Sequence, residues 1–233
     1  MKRYRAALLI PLLAAAGCTP MRMTVPGELS AVPEWPVQGR QGWRIGQQLR
    51  FGEYHVHDVS RGGTRSRGGI VDALQGKTEL QQRYGFRLRL ASEGEDRWTG
   101  RCDSRDIEQG VDLGSVELSL DEAATLECSL RPADDAGEAW TLKVSARGED
   151  GPFGVVESGR ARYELQGERM DPMEPPSRVA GFAIRRDGRF VGAVETVNGG
   201  SVRIVPGLEP EEQHLLAAVA AALLLRDQLI TDD

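Results

Sequence analysis

The sequence predicts a mainly β protein, a closed antiparallel β-barrel wrapped around one hydrophobic C-terminal helix. Two observations carry this prediction. From Trp43 onward, short runs that alternate apolar and polar side chains recur about every ten residues, separated by Gly, Asp and Pro clusters, as in barrels and sandwiches. Near the C-terminus, residues 215–225 read LLAAVAAALLL and carry no polar side chain. The 233 residues, 27% of them charged and 40% hydrophobic, have a globular composition.

The predicted strands show the period-two alternation of a sheet with one buried and one wet face. In FRLRLA, Phe86, Leu88 and Leu90 face one way and the intervening arginines face the other. WTLKVSA, residues 140–146, alternates in the same manner. The other predicted strands before residue 170 are WRIGQQLRFG, EYHVHDV, DRWTGRC, SVELSL, ATLECSL, FGVVES and ARYELQG.

The last third of the chain predicts a hairpin, one more strand and a helix. Asp187-Gly188 separates FAIRR from RFVGAVETV, which is typical of a two-residue hairpin turn. Asn198-Gly199-Gly200 turns the chain again into SVRIVP. DPMEPPS, residues 171–177, reads as a long loop within one domain, because the segment after it is too small to fold separately. The sequence therefore predicts a single barrel domain over residues 41–233.

The helix is expected at about residues 210–230. Pro210 suits its first turn, where Glu211 and Glu212 complement the helix dipole. Eleven apolar residues at 1.5 Å each span roughly 17 Å, about half of a hydrocarbon core near 30 Å, so this helix does not cross a membrane. A helix that is apolar on all sides must be surrounded, and the chain offers only strands to surround it. A closed sheet does so; a groove between two sheets and an oligomer interface are the alternatives.

These C-terminal features resemble the end of the tubby-like barrel domains, a group that includes phospholipid scramblases and plant LURP-one-related proteins. The matching residues are Asp187-Gly188, Val191-Gly192, Val202, Ile204, Pro206-Gly207 and 215–225. The resemblance implies a twelve-stranded barrel around a hydrophobic helix. Several members of that group bind phosphoinositides or other membrane lipids. None of their lipid-binding residues has a match in this chain.

The N-terminus predicts a signal peptide over residues 1–17. MKRYR is a basic n-region, and the apolar AALLIPLLAAA is too short to span a bilayer. Ala15-Ala16-Gly17-Cys18 then resembles a bacterial lipobox, which implies that Cys18 is lipidated with fatty acids such as palmitate. The alternative is a plain secreted protein with a chance cysteine.

The resemblance to a lipoprotein also implies a location. Thr19 stands where an Asp would retain a Gram-negative lipoprotein in the inner membrane, so we expect an outer-membrane anchor and a periplasmic domain. The membrane is thus one partner, through lipid. Residues 18–40, with four prolines, are expected to form an extended tether between the lipid and the domain.

Charge and cysteines narrow the function classes. Removal of Lys2, Arg3 and Arg5 with the signal peptide leaves 26 basic against 35 acidic residues, a net charge of −9, which disfavours nucleic acid as a partner.

Cys102 and Cys128 form an even pair in an oxidising compartment, and we predict a disulfide between them. Two buried free thiols are the alternative.

Two polar segments are candidate sites. His55 and His57 lie two residues apart, so on a strand they share one face and could begin a metal site. The only other histidine in the chain is His214. We therefore favour the interpretation that these two histidines belong to a polar strand face without a metal. Arg61, Arg65 and Arg67 belong to a basic, glycine-rich segment that we interpret as a mobile loop with a possible ligand contact.

No catalytic or cofactor motif accompanies these segments. The sequence therefore predicts a non-enzymatic envelope protein without a cofactor, acting as an interaction or assembly component at the outer membrane. A lipid- or membrane-binding module of tubby-like type is the alternative.

Overall fold

The computed structural model describes residues 22–40, 46–67, 77–112, 117–134, 137–146, 153–171 and 179–226. It contains fourteen strands, one short 3-10 helix at Gly27–Leu29 and one α-helix, α1, at Pro210–Leu225. The strands are β1 (Arg22–Met23), β2 (Trp35–Pro36), β3 (Leu49–Phe51), β4 (Tyr54–Arg61), β5 (Arg65–Arg67), β6 (Lys77–Leu90), β7 (Asp96–Asp112), β8 (Glu117–Pro132), β9 (Trp140–Ala146), β10 (Phe153–Glu157), β11 (Arg162–Asp171), β12 (Val179–Arg186), β13 (Arg189–Glu195) and β14 (Ser201–Ile204).

Twelve of these strands form one nearly closed antiparallel barrel. Their order is β2, β14, β13, β12, β11, β10, β9, β8, β7, β6, β4 and β3, while β1 pairs with β11 and β5 pairs with β6 outside this path. The two ends of the path meet at Gln38 and Arg50, whose backbones exchange two hydrogen bonds of 2.9 and 3.1 Å. The barrel therefore leaves little unpaired edge along this path.

The barrel interior is occupied by α1. All eleven side chains of residues 215–225 are buried, none more than 3% exposed. They form one apolar cluster with the inward-facing residues of the strands, among them Phe86, Leu130, Leu142 and Ile184. The expected mainly β barrel with an apolar C-terminal helix is thus confirmed. No helix in the described part of the chain combines the length and the apolar character that a membrane crossing needs.

The C-terminal end of α1 is fixed by side chains of the barrel. The last carbonyls of a helix have no partner within the helix. The Tyr84 hydroxyl donates to the Ala222 carbonyl at 2.6 Å, and Arg40 Nε donates to the Leu224 carbonyl at 2.9 Å. Tyr84 lies on β6, near the β3 end of the strand path, and Arg40 follows β2 at the other end, so residues from both sides of the seam bind the helix end.

Replacement of Tyr84 by Phe should therefore destabilise the barrel without unfolding it. The change leaves the buried Ala222 carbonyl without this donor, which costs about 1–3 kcal/mol. Urea denaturation should show a lower midpoint with an unchanged slope. Phe86→Leu, at a buried position on the same strand that makes no such hydrogen bond, shows the effect of a packing change alone.

The described part of the predicted tether over residues 18–40 packs on the barrel. Residues 1–21, including the predicted signal peptide, Cys18 and Thr19, lie outside the described residues. From Arg22 onward, however, the chain belongs to the domain: β1 pairs with β11, and β2 pairs with β14. Met23 and Leu29 are buried against Ala180 and Ala193 on the outer surface of β12 and β13. The prolines keep this segment extended, and apolar side chains between them let it pack onto the sheet.

An ion-pair network that includes the buried Glu195 holds the same segment in place. Arg22 Nη2 donates to Glu195 Oε2 at 2.8 Å, and Glu195 is only 5% exposed. Arg22 also pairs with Glu34, which in turn accepts from Arg203 of β14 at 2.7 Å. Ser201 Oγ donates to Glu195 at 3.0 Å. This network makes the N-terminal segment part of the folded unit.

The structure supports the predicted disulfide between Cys102 and Cys128. The two residues are direct cross-strand partners on β7 and β8, and their Cα atoms lie 4.1 Å apart, near the closer spacing of antiparallel pairs. Both side chains point into the barrel and are at most 5% exposed. The bond therefore lies in the apolar core next to α1.

Candidate functional site

The outer surface of the barrel carries a polar trough, which we define by five residues that follow one another across neighbouring strands. They are Ser60 on β4, Gly85 on β6, Arg101 on β7, Ser129 on β8 and Thr141 on β9. Each is the register partner of the next. Four of the five side chains are small, so the row is lower than its surroundings. At about 4.8 Å per strand, the trough is about 19 Å long.

Charged residues two positions along each strand form the two walls of the trough. On one side Arg87 Nη1 donates to Asp96 at 3.0 Å, and Arg87 also lies 3.7 Å from Asp58. On the other side Arg83 Nε donates to Asp103 at 2.8 Å. The wall arginines are therefore already neutralised by carboxylates of the barrel.

Two adjoining concavities of about 440 and 320 Å³ make up the trough. Arg83 and Arg101 line both of them, so they meet at these side chains. Their charged lining comprises three arginines and three acids, namely Arg83, Arg87, Arg101, Asp58, Asp103 and Glu127. The trough as a whole is therefore close to neutral, in contrast to the acidic chain.

Arg101 is the exception within this balanced lining. Its side chain is exposed in the floor of the trough, between Gly85 and Ser129. Among the residues that the structure describes, no carboxylate forms an ion pair with it, whereas Arg83, Arg87 and Arg105 all have one. An unpaired guanidinium beside hydroxyl groups offers five N–H donors and several O–H donors to an anion.

The three arginines predicted as ligand contacts lie on two strands. Arg61 ends β4, where its Nη2 donates to Gln47 at 2.8 Å and its guanidinium lies over the Tyr84 ring. Arg65 and Arg67 form β5, which pairs with Gln81 and Glu79 of β6. The prediction of a mobile loop is therefore wrong for residues 65–67, because a strand forms there. A ligand contact at these residues stays a prediction.

A second polar cluster lies inside the barrel at the C-terminal end of α1. Arg226 Nη2 donates to Asp106 Oδ1 at 2.8 Å, with both side chains largely buried. Gln82 and Ser104, which are register partners on β6 and β7, are 3% and 0% exposed. The Arg226–Asp106 pair joins the helix end to β7.

The histidines do not converge. His55 and His57 share the outer face of β4 as expected, with ring centroids 5.6 Å apart. His214 lies on the inner side of that strand, against the Tyr54 ring at 6.0 Å. His57 Nε2 is 2.7 Å from Asp96 Oδ1. Within the described ranges, no group of three or more His, Cys, Asp or Glu side chains is arranged to hold a metal ion.

His55 is held neutral by its surroundings. Its Nε2–H donates to Gln48 Oε1 at 3.2 Å, and its Nδ1 accepts from Arg89 Nη2 at 3.4 Å, which fixes one neutral tautomer. Burial lowers the pKa of His55, and the positive charges of Arg50 and Arg89 lower it further, as does the neighbouring His57. Protonation would bring a third positive charge between two arginines.

The free energy of unfolding should therefore decrease when the pH falls from about 7 to about 5. Burial, followed by the charge of Arg97, also lowers the pKa of His214. With depressed folded-state pKa values, the unfolded chain binds more protons below its own histidine pKa of about 6.5, so acid favours unfolding. Protonation of carboxylates changes the free energy of unfolding mainly at lower pH, around their ordinary pKa near 4. Urea midpoints measured at pH 7 and pH 5 check this.

His55→Gln, combined with His214→Phe, should flatten the change between these two pH values. The Gln side chain can still donate to Gln48, and Phe retains the ring contact with Tyr54. An equal loss of stability on acidification in the double variant would show that other groups cause it.

No family model matches the chain, and neither curated proteins nor solved structures give a significant match. The candidate site therefore rests on the geometry above.

The trough was missed by reasoning from the sequence. Alternation within DRWTGRCDS places Arg101 on the face opposite Cys102, which does indicate its outward direction. The small residues around it come from four other strands, between 16 and 41 positions away in the chain. Only the register of these strands brings them together.

Proposed function

We propose that this protein is a lipid-anchored component of the bacterial envelope that binds a periplasmic partner on the outer surface of its barrel. The observation that carries the proposal is the filled interior. Because the apolar stretch of α1 occupies the barrel interior, we assign ligand binding to the outer face, where the trough is the polar concavity described above. The proposed role is binding or assembly, without catalysis.

We also propose a tubby-like architecture for the barrel. A closed path of twelve antiparallel strands and a buried C-terminal helix support it, as do the Asp187-Gly188 turn and the Gly207 turn that precedes α1. Asp187 and Gly188 both have positive φ, at 51° and 78°, as a type I′ hairpin turn requires.

Lipid anchoring at Cys18 would hold the barrel close to the membrane. The described part of the chain begins at Arg22, four residues after Cys18, and a stretch of four residues spans at most about 14 Å. β1 pairs with Met170 and Asp171, at the far end of β11. The trough row reaches β11 at Arg162, at the opposite end of that strand. The proposed anchor and the trough therefore lie on different parts of the outer surface, because β1 pairs with β11 whereas the trough runs from β4 to β9.

Cys18→Ser tests the anchor. The variant should lose the mass of the acyl chains and move from the membrane fraction to the periplasmic fraction, because a single polar side chain replaces chains that contribute about 0.8 kcal/mol per buried CH2. Thr19→Ser, next to the cysteine, is the control and should stay in the membrane fraction. An unchanged mass and an unchanged membrane association in Cys18→Ser would contradict the proposal.

A further inference from the structure

We infer that the trough is a recognition site for a carboxylate-bearing protein segment, with Arg101 as the residue that contacts the carboxylate. This inference deepens the proposed function and rests on it for the nature of the partner. It is carried by the exposed position of Arg101, by its lack of an ion pair among the described residues, and by the small side chains on both sides of it.

The first step concerns charge. Arg83 and Arg87 are matched by Asp103 and Asp96 at 2.8 and 3.0 Å, so a ligand that needs them must compete with carboxylates already in place. Arg101 requires no such exchange. One incoming carboxylate can accept two parallel N–H bonds from its guanidinium, the arrangement that arginine favours.

The second step concerns shape and hydroxyl groups. Gly85 and Ser129 are the register partners of Arg101, so the space on both sides of its stem is open. Ser60 and Thr141 extend the row by one strand at each end. A trough about 19 Å long can hold five or six residues of an extended chain, at 3.3 Å per residue. Its serine and threonine hydroxyls can then pair with the backbone of that chain.

The third step decides between a protein segment and an anionic membrane. Asp58, Asp103 and Glu127 lie in the same lining, so a polyanionic surface would meet three carboxylates as well as three arginines. A single carboxylate placed at Arg101 avoids most of this repulsion.

The test uses the mature full-length chain in nonionic detergent, titrated with N-acetylglutamate and followed by NMR. We expect saturable shifts of the Arg101 side-chain Nε–H and of the Ser129 and Thr141 amides, with a dissociation constant in the millimolar range. N-acetylglutamine, which lacks the charge, should bind at least tenfold more weakly. An acidic hexapeptide, Gly-Ser-Glu-Ser-Gly-Ser, should bind more tightly than N-acetylglutamate because it also meets the hydroxyls.

Three variants distinguish recognition by Arg101 from a general effect of positive charge on binding. R101A should weaken binding of the hexapeptide at least tenfold, and Ser129→Leu, which fills the floor beside Arg101, should weaken it similarly. R189A is the matched control, because Arg189 is exposed and without an ion pair in the described structure, on the hairpin between β12 and β13. Its binding should stay within twofold of the parent protein.

Other outcomes would overturn the inference. Equal binding of the glutamine analogue, or equal loss in R189A, would show a nonspecific charge effect. Tighter binding of inorganic phosphate, or of phosphatidylglycerol vesicles, in an Arg101-dependent manner would assign the trough to phosphate or to a membrane instead. The fractionation of the Cys18→Ser variant does not depend on these binding measurements. A failure of the anchor proposal and a failure of the carboxylate site can therefore be distinguished.

Discussion

Ala220→Asp should abolish folding of the barrel. Ala220 is fully buried within α1, with no exposed side-chain surface. A carboxylate introduced there has no cationic partner in the apolar cluster, and an uncompensated buried charge costs roughly 3–5 kcal/mol or more. That cost is comparable to the whole stability of many domains, about 5–15 kcal/mol. Circular dichroism and limited proteolysis of the purified chain measure the outcome.

An Asp at the exposed start of the helix, where a carboxylate is already present, provides the control. Glu211→Asp changes a solvent-exposed position in the first turn of α1, where acids suit the helix dipole, and should leave folding intact. A cooperatively folded, protease-resistant Ala220→Asp protein would mean that α1 does not occupy the barrel interior.

Removal of the Cys102–Cys128 disulfide should produce the next largest loss of stability. The bond closes a loop with a sequence separation of 26 residues. The chain-entropy model gives a stabilisation of about 3–4 kcal/mol for a loop of this length. We therefore expect a lower urea midpoint for the Cys102→Ala/Cys128→Ala double variant. The barrel should still form, because the register of β7 and β8 rests on many other pairs along both strands.

Reduction provides an independent comparison. The parent protein is denatured, reduced and then refolded in the presence of reductant. Its free energy of unfolding should fall by a similar amount, whereas that of the double variant should not change with the reductant. Two titratable thiols in the native oxidised protein, or equal stability of the variant and the parent, would contradict the disulfide.

The C-terminal region was the most predictable part of the fold, because its local signals agree with its tertiary structure. Pro210 and the acids after it mark the start of α1 where the structure has it. The end of the helix was expected near residue 230 and lies at Leu225; residues 227–230 are outside the described part. Asp187-Gly188 forms the two-residue turn that its residues favour. The DPMEPPS loop, apart from Asp171, lies outside the described residues.

Other elements depend on contacts that a local pattern does not reveal. The strands β6, β7 and β8 are 14, 17 and 16 residues long, longer than the short runs in the sequence suggested. Segments such as TELQQR lack a clean alternation, so their extension beyond the apolar runs carries no periodic signal. Trp35 packs over Gly52, where any side chain would clash with its ring, and this contact places β2 in the barrel.

The candidate site shows the same difference between features that a local sequence pattern reveals and features that depend on tertiary contacts. Cys102 and Cys128 could be paired from number and compartment alone, whereas Arg101 became notable only when its neighbours were known. A filled interior and a polar outer trough together favour recognition on the surface of the barrel. The proposed lipid anchor would then concentrate this surface at the membrane without using the barrel to bind lipid.

Hydrogen–deuterium exchange of α1 tests this account most directly. If the helix permanently fills the barrel, the amides of residues 219–225 should exchange only through global unfolding, with a free energy equal to that from urea denaturation. Addition of lipid vesicles should leave that protection unchanged. Exchange within minutes under native conditions, or a loss of protection on addition of lipid, would show that the helix leaves the barrel, and would contradict the filled interior on which the proposed function rests.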